Sequence, residues 1–236
     1  MRVKVLVVDI GGTHVKMLAS GRTKPVRFDS GPHLTPRKMV AQVKTATAGW
    51  KYEAVSLGYP GMVVHGRPIT EPQNLGRGWV GFDFVAAFRR PVKIINDAAM
   101  QALGSYKGRK MLFLGLGTGL GSALVVDGIV EPMEIAHLPY RKATFEDYVG
   151  QRGLEKRGKK KWRRHVGKVV ANLFAALEPD YVVLGGGNVR KLDRLPPGSR
   201  PGDNANAFAG GFRLWKGTAA DHRTKKGRKH FTRLGP

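Results

Sequence analysis

Two segments of this chain repeat one pattern about half a chain length apart. Residues 4–22 and residues 110–129 each contain an apolar run, a turn of small residues and a second apolar run. At an offset of 106 residues, the matching pairs are Lys4 and Lys110, Leu6 and Leu112, Gly11 and Gly117, and Leu18 and Leu124. A repeat at this distance predicts two similar lobes with a cleft between them. Glycine turns expose backbone N–H groups that suit phosphate oxygens, so two facing turns could hold one phosphate chain from both sides.

The composition excludes several classes of protein. With 236 residues, the chain fits one large domain or two small lobes with a sizeable core. It has no cysteine, which excludes disulfides, thiolate metal sites and a cysteine nucleophile. No apolar stretch approaches the roughly 20 residues that span a bilayer, and the N-terminus does not resemble a secretory signal. We therefore expect a cytoplasmic protein with no membrane partner.

The net charge is strongly positive, with 41 Lys and Arg residues against 17 Asp and Glu residues. A field of this sign favours polyanions such as nucleic acid or polyphosphate, although a generally basic surface is an equally good explanation. Residues 151–170 hold nine basic residues and one acidic residue, and residues 216–236 hold seven and one. Basic side chains in residues 156–168 could form a track for a polyanion, or simply a solvated helix face.

Apolar runs and their spacing predict the secondary structure. We expect strands at residues 2–9, 15–19, 26–28, 54–59, 92–95, 111–116, 122–126 and 181–184. We expect helices at residues 36–48, 82–88, 98–105, 162–177 and 205–215, and a loop at the Pro-, Gly- and Asn-rich residues 196–206. These elements suggest an α/β lobe at residues 1–105 and a second at residues 106–215, whose last helix could return to the first lobe. Residues 216–236 are expected to form a basic, mobile tail.

The first glycine turn follows a strand that ends at Asp9. Another strand comes after the turn, so it is neither a loop that ends in Gly-Lys-Ser/Thr nor a helix-opening dinucleotide loop. We interpret Gly11, Gly12 and Thr13 as a hairpin phosphate loop. Asp9 could hold a hydrated Mg²⁺, and Lys16 could reach the donor phosphates as a point charge. A plain hairpin with a solvated aspartate and a surface lysine remains the alternative.

Asn96 and Asp97 follow a buried strand directly, so both side chains are expected to project from a strand end into the cleft. One carboxylate is enough to accept a proton from an attacking hydroxyl. Asn96 offers both a donor and an acceptor to a sugar hydroxyl. The competing explanation is a helix cap before Ala98, which Asn or Asp often provides, and a cap and a base are compatible.

Several short motifs occur in the order seen in sugar kinases of the ROK family. They are DIGGTHVK, GYPGMV, PQNLGRGW, IINDA, LGLGTGLGSALVVDG, EIAHL and LGGG, and together they cover about residues 2–190. The chain most resembles the polyphosphate glucokinase branch of that family. The resemblance implies an actin-like ATPase (ribonuclease H-like) α/β fold with two lobes and an interlobe cleft. It also implies phosphoryl transfer to a sugar hydroxyl.

The resemblance assigns roles to residues of both halves, with Asp97 as the general base. The implied sugar-binding residues are Asn74, Asn96, Asp97, Glu134, His137, Glu155 and Gly61. The implied phosphate-binding residues are Gly11, Gly12, Thr13, Lys16, Gly117, Thr118, Gly119 and Gly121. The implied nucleotide-binding residues are Gly185, Gly186 and Gly187, for which a tight turn is an equal alternative. Ordinary helix-cap, surface and Pro-Gly turn roles compete with the sugar-binding assignments.

Two departures from the family pattern affect the expected cofactors. Ala136 stands where the family motif Glu-x-Gly-His has its glycine, so the local backbone could differ. The cysteines of the family's zinc loop are missing, so no structural zinc is expected. Mg²⁺ at Asp9 is the only cofactor that we predict.

We predict a phosphotransferase with an alcohol acceptor. It would be a glucokinase that transfers a phosphoryl group from polyphosphate, ATP or both to the 6-hydroxyl of glucose or a related hexose. The alternative is a nonenzymatic protein that binds polyphosphate or nucleic acid, although no aromatic stacking pattern interleaves the basic residues. A sugar-responsive repressor is disfavoured because the glycine turn begins near residue 9, which leaves no room for a helix-turn-helix. The preferred donor, the hexose and a possible homodimer are not decided by the sequence.

Overall fold

The computed structural model of the protein describes residues 3–216, and its elements alternate between strands and helices. The strands are β1 Val5–Ile10, β2 His14–Ala19, β3 Val26–Asp29, β4 Ala54–Tyr59, β5 Val63–Val64, β6 Arg67–Pro68, β7 Val92–Asn96, β8 Lys110–Leu116, β9 Leu120–Val126, β10 Ile129–Met133, β11 Pro139–Tyr140, β12 Ala143–Thr144, β13 Tyr181–Gly185 and β14 Ser199–Pro201. The α-helices are α1 Pro36–Ala46, α2 Phe84–Phe88, α3 Asp97–Ser105, α4 Phe145–Val149, α5 Gln151–Leu177 and α6 Asn206–Arg213. Short 3₁₀ helices lie at Ile135–His137 and Val189–Lys191.

Two five-stranded sheets have the same topology. The first has the order β3-β2-β1-β4-β7, in which β1, β2 and β3 pair antiparallel and β1, β4 and β7 pair parallel. The second has the order β10-β9-β8-β13-β14, with the same succession of antiparallel and parallel pairs. The repeat in the sequence therefore corresponds to a repeat in sheet topology, which confirms the prediction of two similar halves.

The central strand β1 is buried along its whole length because helices cover both faces of the first sheet. Side chains alternate between the two faces of a strand. On one face, Leu6 and Val8 belong to an apolar cluster with Met39 of α1. On the other face, Val5 and Val7 pack with Phe208 of α6. This two-sided burial explains why β1 is continuously apolar from Val5 to Val8 rather than alternating.

The long helix α5 covers the second sheet with the apolar stripe that the sequence predicts. Trp162, Val166 and Val170 are buried in one cluster with Leu112 and Leu184 of the sheet. The indole N–H of Trp162 also donates to the backbone oxygen of Val149, at 2.8 Å. α5 begins earlier than predicted, at residue 151, and kinks at Gly158, which has a φ of 71° and a ψ of 160°.

Helices α3 and α6 cross where each has a glycine. A Cβ atom at Gly104 of α3 would collide with the backbone of Asn206, and one at Gly210 of α6 would collide with the backbone of Met100. Glycine therefore allows the two helix backbones to touch. α6 also packs on β1, so the end of the described chain lies against the first sheet. The exact lobe boundaries remain predictions, and the predicted basic tail lies outside the described residues except for Lys216.

The structure corrects the prediction that residues 196–206 form only a loop. Ser199–Pro201 forms β14, which pairs parallel with β13 at the edge of the second sheet. Proline is tolerated at a sheet edge because its missing N–H faces away from the ladder, so the Pro-rich composition concealed a strand. The helix predicted at residues 82–88 begins only at Phe84, since the side chain of Asp83 accepts from the N–H of Ala86 as its N-cap. No helix within residues 3–216 is long and apolar enough to cross a membrane.

Candidate active site

The carboxyl ends of three parallel strands meet at one edge of the first sheet. Asp9 of β1 is paired in register with Gly58 of β4, and Tyr59 of β4 is paired with Asn96 of β7. A Cβ atom at Gly58 would lie 3.5 Å from a carboxylate oxygen of Asp9 and would also collide with Met100. Glycine at this position therefore makes room for the Met100 side chain beside the carboxylate. Ligands of α/β proteins commonly bind at such a strand edge.

Asp9 is a buried carboxylate, only 7% exposed. Its cross-strand neighbour in the β1–β2 hairpin is Lys16, whose ammonium nitrogen lies 3.8 Å from the carboxylate. Burial raises the pKa of Asp9, and the positive charge of Lys16 acts in the opposite direction. At 3.8 Å the pair is too long for a strong hydrogen bond, so both charges remain available to a third group.

Asn96 caps the helix that begins at Asp97. Its side-chain oxygen accepts from the N–H of Ala99 at 3.1 Å, and its amide donates to the backbone oxygen of Gly61 at 3.2 Å. The cap that the sequence offered as an alternative is therefore present. It joins the Pro-Gly turn at Gly61 to the start of α3, which fixes the backbone from which the Asp97 side chain emerges.

Asp97 is a partly exposed aspartate with an elevated pKa. One carboxylate oxygen accepts from the N–H of Ala98 at 2.8 Å. The pKa of Asp97 is raised to about 7, mostly by desolvation and to a lesser extent by the negative charges of Asp9 and Glu134. The hydrogen bond from Ala98 acts in the opposite direction. A carboxylate with a pKa near neutrality is suited to accept a proton from a hydroxyl group.

The first glycine turn is held closed by backbone contacts and faces Asn74. The N–H of Gly11 donates to the oxygen of His14 at 3.0 Å, and the hydroxyl of Ser30 donates to the oxygen of Gly11 at 2.6 Å. A Cβ atom at Gly12 would lie 3.3 Å from the Cβ of Asn74, so this predicted sugar-binding residue touches the predicted phosphate turn. Thr13 is exposed beside Gly12.

The second glycine turn lies against the first turn of α3. A Cβ atom at Gly121 would come within 2.8 Å of the Cβ of Ala98, which follows Asp97 directly. The N–H of Gly117 donates to the oxygen of Gly119 at 3.1 Å, which closes the turn around the exposed Thr118. This packing brings a turn of the second sheet to the helix that carries the predicted base.

Glu146 belongs to the second turn, although the sequence reasoning overlooked it. Its carboxylate accepts from the N–H of Leu120 at 3.2 Å and packs over Gly119. The position follows from a capping box, in which Thr144 and Asp147 bond each other's backbone N–H groups at the start of α4. That Thr-x-x-Asp pattern is visible in the sequence and would have located the start of a helix here.

The predicted sugar ligands Glu134, His137 and Glu155 have different surroundings. Glu134 and His137 are both exposed, at the ends of the short 3₁₀ helix, and Glu134 acts electrostatically on Asp97. Glu155 is exposed on α5, where it accepts from the amide of Gln151 at 2.6 Å. The side-chain oxygen of Gln151 accepts from Asn188 at 3.0 Å. Glu155 thus connects to the second turn through intermediate side chains.

Gly185, Gly186 and Gly187 form the exit from β13. Gly186 has a φ of 85°, and a Cβ atom there would collide with the backbone of Leu116. Next in the chain, the N–H of Asn188 donates to the oxygen of Leu116 at 3.0 Å. The tight turn proposed as an alternative therefore accounts for Gly186. Gly187 is exposed, with no atom within 4 Å of its added Cβ position, so packing does not explain its glycine.

Asp9 is compatible with a single Mg²⁺ ion. Residues 3–216 contain no group of three or more His, Asp and Glu side chains suited to enclose a metal. Mg²⁺ in kinases is usually held by one or two carboxylates, with phosphate oxygens and water as the other ligands. The buried carboxylate of Asp9 fits that requirement, since within residues 3–216 its one ion-pair partner is Lys16, at 3.8 Å.

The fold and the site define the class of protein. The model of the ROK family matches residues 5–132, which is more than half of the chain, and the chain belongs to that family. Among curated proteins, it is similar to the polyphosphate glucokinase of Mycobacterium tuberculosis (strain CDC 1551 / Oshkosh). The two are 28% identical over 214 residues, which cover 80% of each chain. It is also 26% identical over 140 residues to the glucokinase of Pyrobaculum calidifontis, covering 54% of this chain and 45% of that one.

Solved structures show the same fold. The inorganic polyphosphate/ATP-glucomannokinase of Arthrobacter sp. strain KM superposes with a TM-score of 0.77 at 22% identity, covering 90% of this chain and 98% of the other. The ROK family glucokinase of Streptomyces griseus, in complex with glucose and AMPPNP, gives a TM-score of 0.72 at 16% identity, covering 90% and 99%. These similarities confirm the predicted actin-like α/β fold.

Proposed function

We propose that the protein is a glucokinase that transfers a phosphoryl group from polyphosphate, ATP or both to the 6-hydroxyl of glucose or a related hexose. The observation that carries the proposal is the Asp97 carboxylate. It has a pKa raised to about 7 and lies at the start of α3, against which the second glycine turn packs. A base of this strength is half ionised near neutral pH, where a kinase must accept a hydroxyl proton.

In the proposed reaction, Asp97 accepts the proton of the attacking hydroxyl as its oxygen forms a bond to the terminal phosphorus of the donor. The bridging P–O bond of the donor breaks, and the shortened donor leaves with the electron pair. Bound Mg²⁺ would neutralise charge on the donor phosphates, and Asp9 is the residue that would hold it. Lys16 supplies a positive charge beside the same phosphates. Positioning and charge neutralisation account for most of the acceleration in such reactions.

The proposed sugar site lies beside these groups. Asn74 touches the first glycine turn, and Glu134 is close enough to influence the charge of Asp97. His137 is proposed as an additional hydroxyl ligand. Asn96 acts mainly by holding Gly61 and the start of α3 in place, because both ends of its amide are used in protein contacts. Glu155 is proposed to act through Gln151, since the two side chains are hydrogen-bonded.

The donor phosphates are proposed to lie between the two glycine turns. The first turn contributes Gly11, Gly12 and Thr13. The second contributes the backbone at Thr118 and Gly119, because the N–H groups of Gly117 and Leu120 donate within the protein. Polyphosphate as a donor is supported by the names of the similar proteins from Mycobacterium tuberculosis and Arthrobacter and by the basic residues of α5. ATP as a donor is supported by the name of the Arthrobacter glucomannokinase. The exposed Gly187 is the member of the glycine run left open to a nucleotide. A homodimer and a cytoplasmic location stay predictions.

The test replaces Asp97 by Asn and measures glucose phosphorylation with polyphosphate in nucleotide-free buffer and, separately, with ATP. We expect kcat to fall by roughly 10²- to 10⁴-fold with either donor, while glucose binding is retained. Asp127→Asn is the matched control, because it makes the same charge change in an exposed hairpin turn. A wild-type protein that binds polyphosphate but phosphorylates no sugar with either donor would instead support the nonenzymatic alternative.

A further inference from the structure

A groove with a volume of about 590 Å³ runs between α5 and the segment 192–197, on the second sheet's helical side. α5 contributes Lys160, Arg163, Arg164 and Gly167 to its lining. These positions are spaced i, i+3, i+4 and i+7, so they form one face of the helix. The cations that the sequence suggested as a track are therefore not spread evenly around α5. A subset of them lines one wall of a defined groove.

Of the three α5 cations, only Arg163 contacts other side chains or backbone by ion pair or hydrogen bond in the part of the chain that the structure describes. Arg163 forms an ion pair with Asp193 and donates to the backbone oxygen of Lys191 at 2.6 Å, which ties the opposite wall to the helix. Within residues 3–216, Lys160 and Arg164 have no carboxylate within ion-pair distance. They lie four residues apart on one helix face, an arrangement in which like charges destabilise a helix. Stability therefore does not explain this pair of cations.

Gly167 supplies the floor of the groove. Glycine is the poorest helix former after proline, and α5 is regular at this point. No atom lies within 4 Å of the position where a Cβ would be added, so packing does not require glycine. The missing side chain leaves open space on the helix one turn after Arg163 and Arg164. Within residues 3–216, therefore, neither helix propensity nor packing accounts for this glycine, and it leaves open space beside the α5 cations.

The lining favours a phosphate chain over a nucleic acid. The groove contains no aromatic side chain on which a base could stack. Its segment 192–197 is largely apolar apart from Asp193 and Arg194. The α5 cations, together with Arg194 and the absence of a base platform, suit a polyanion without bases.

Hydrogen bonds connect both walls of the groove to the second glycine turn. Asn188 donates to the oxygen of Gly117 at 3.1 Å and to Gln151 at 3.0 Å, and the chain continues from it into the 3₁₀ helix and the groove segment. Along α5, Gln151 and Arg163 are separated by at most about 18 Å of helical rise. A ligand that reaches both the turn and the groove must therefore be long.

We infer that this groove binds the distal part of a long inorganic polyphosphate donor while the end of that chain lies at the second glycine turn. The inference rests on the proposed function, because it concerns the donor of the same reaction. Short donors would reach the turn but not the groove. The groove therefore gives a preference for chain length that the catalytic residues alone do not provide.

The experiment compares two double variants with the same charge change on the same helix. Lys160→Ala with Arg164→Ala removes the two unpaired cations that α5 contributes to the groove. Lys161→Ala with Lys168→Ala removes two exposed cations that do not line the groove. For long-chain polyphosphate, we expect the groove pair to raise KM roughly tenfold and the control pair less than about twofold, with kcat unchanged. With tripolyphosphate and with ATP, both pairs should behave like wild type.

A third variant tests the shape of the groove without changing its charge. Gly167→Gln introduces a better helix former into open space, so the protein should fold at least as well as wild type, which thermal unfolding would check. Its side chain should occupy the floor and raise KM for long-chain polyphosphate only. Equal effects of the groove and control pairs, or equal effects on short and long donors, would overturn the inference.

Two further outcomes separate this inference from the proposed function. If wild type uses ATP but no polyphosphate, the polyphosphate part of the proposed function fails. Binding of fluorescently labelled long-chain polyphosphate then tests whether the groove is a polyphosphate site. Equal affinity of wild type and the groove pair for this probe overturns the inference. If a single-stranded oligonucleotide binds in a groove-dependent way while polyphosphate kinetics are unchanged in the groove pair, the ligand is a nucleic acid and the inference is wrong.

Discussion

Holding Asp97 ionised should cost the protein stability. The pKa of this carboxyl is about 7 in the folded protein, against an ordinary value of 3.8. Between these values the folded state binds a proton that the unfolded state has released, so the contribution of this group to stability falls as the pH rises from about 4 to about 7. The full difference corresponds to at most about 4 kcal/mol. Because Asp97 is partly exposed and water screens its charge, we expect about half of that.

Asp97→Asn isolates this cost. The amide oxygen can still accept from the N–H of Ala98, but the side chain no longer titrates. We therefore expect the variant to be more stable than wild type by about 2 kcal/mol near pH 8, with the difference shrinking toward zero near pH 4. Relief of repulsion between this position and Asp9 acts in the same direction.

The assay is urea unfolding of both proteins at several pH values, followed by the fluorescence of the buried tryptophans. Trp79 and Trp162 are fully buried, one against each sheet, so unfolding of either half should change the signal. Groups without electrostatic coupling to Asp97 titrate equally in both proteins and cancel in the difference, whereas Asp9 and Glu134 lose a repulsive neighbour and add to the gain near pH 8. Asp127→Asn should show no comparable gain in stability. A variant that is less stable than wild type near pH 8, or a difference independent of pH, would refute the reasoning.

Two further predictions concern the second glycine turn. Gly121→Val should push against Ala98 and displace the start of α3, with a loss of roughly 1–3 kcal/mol in the free energy of unfolding and a lower kcat. In the control Gly117→Ala, the added Cβ meets no atom within 4 Å, so the free energy of unfolding should stay within about 0.5 kcal/mol of wild type. If urea unfolding shows as large a loss for Gly117→Ala as for Gly121→Val, the contact between Gly121 and Ala98 does not explain the loss. Glu146→Ala should lower the free energy of unfolding by about 1 kcal/mol because the N–H of Leu120 loses its acceptor. Glu146→Gln should recover most of that loss, since the amide oxygen can still accept. Equal melting temperatures for the two variants would show that the hydrogen bond is unimportant.

The parts of the fold that the sequence predicts are those set by local pattern. The continuous apolar run of β1 and the helical stripe around Trp162 appear where expected, because burial on two faces or on one stripe leaves a direct periodic signature. β14 could not be found in this way, since it is short, lies at a sheet edge and is stabilised by pairing with a strand far from any local signal. The kink at Gly158 was missed because the apolar stripe begins after it.

In the candidate site too, residues placed by local sequence pattern were predicted and a residue placed by tertiary packing was not. Asp9, Asn96 and Asp97 were found because each lies at the end of an apolar strand, and parallel pairing brings those ends together. Glu146 was missed because its contact with Leu120 depends on how α4 folds back over a hairpin 26 residues earlier in the chain. Glu155, which is predicted as a sugar ligand, lies on the exposed side of the next helix. Motif order identifies strand ends reliably, but which acidic residue reaches a turn depends on tertiary packing.

The position of Asp97 depends on both sheets, since α3 lies between them. Its first turn touches the second sheet through the contact of Ala98 with Gly121, while its last turns pack against α6, which itself lies on β1. These contacts are made by small residues, so they leave little slack. A relative shift of the two sheets would therefore move the carboxylate with respect to at least one glycine turn. For this reason, substitutions at the glycine contacts should alter kcat more than they alter sugar binding.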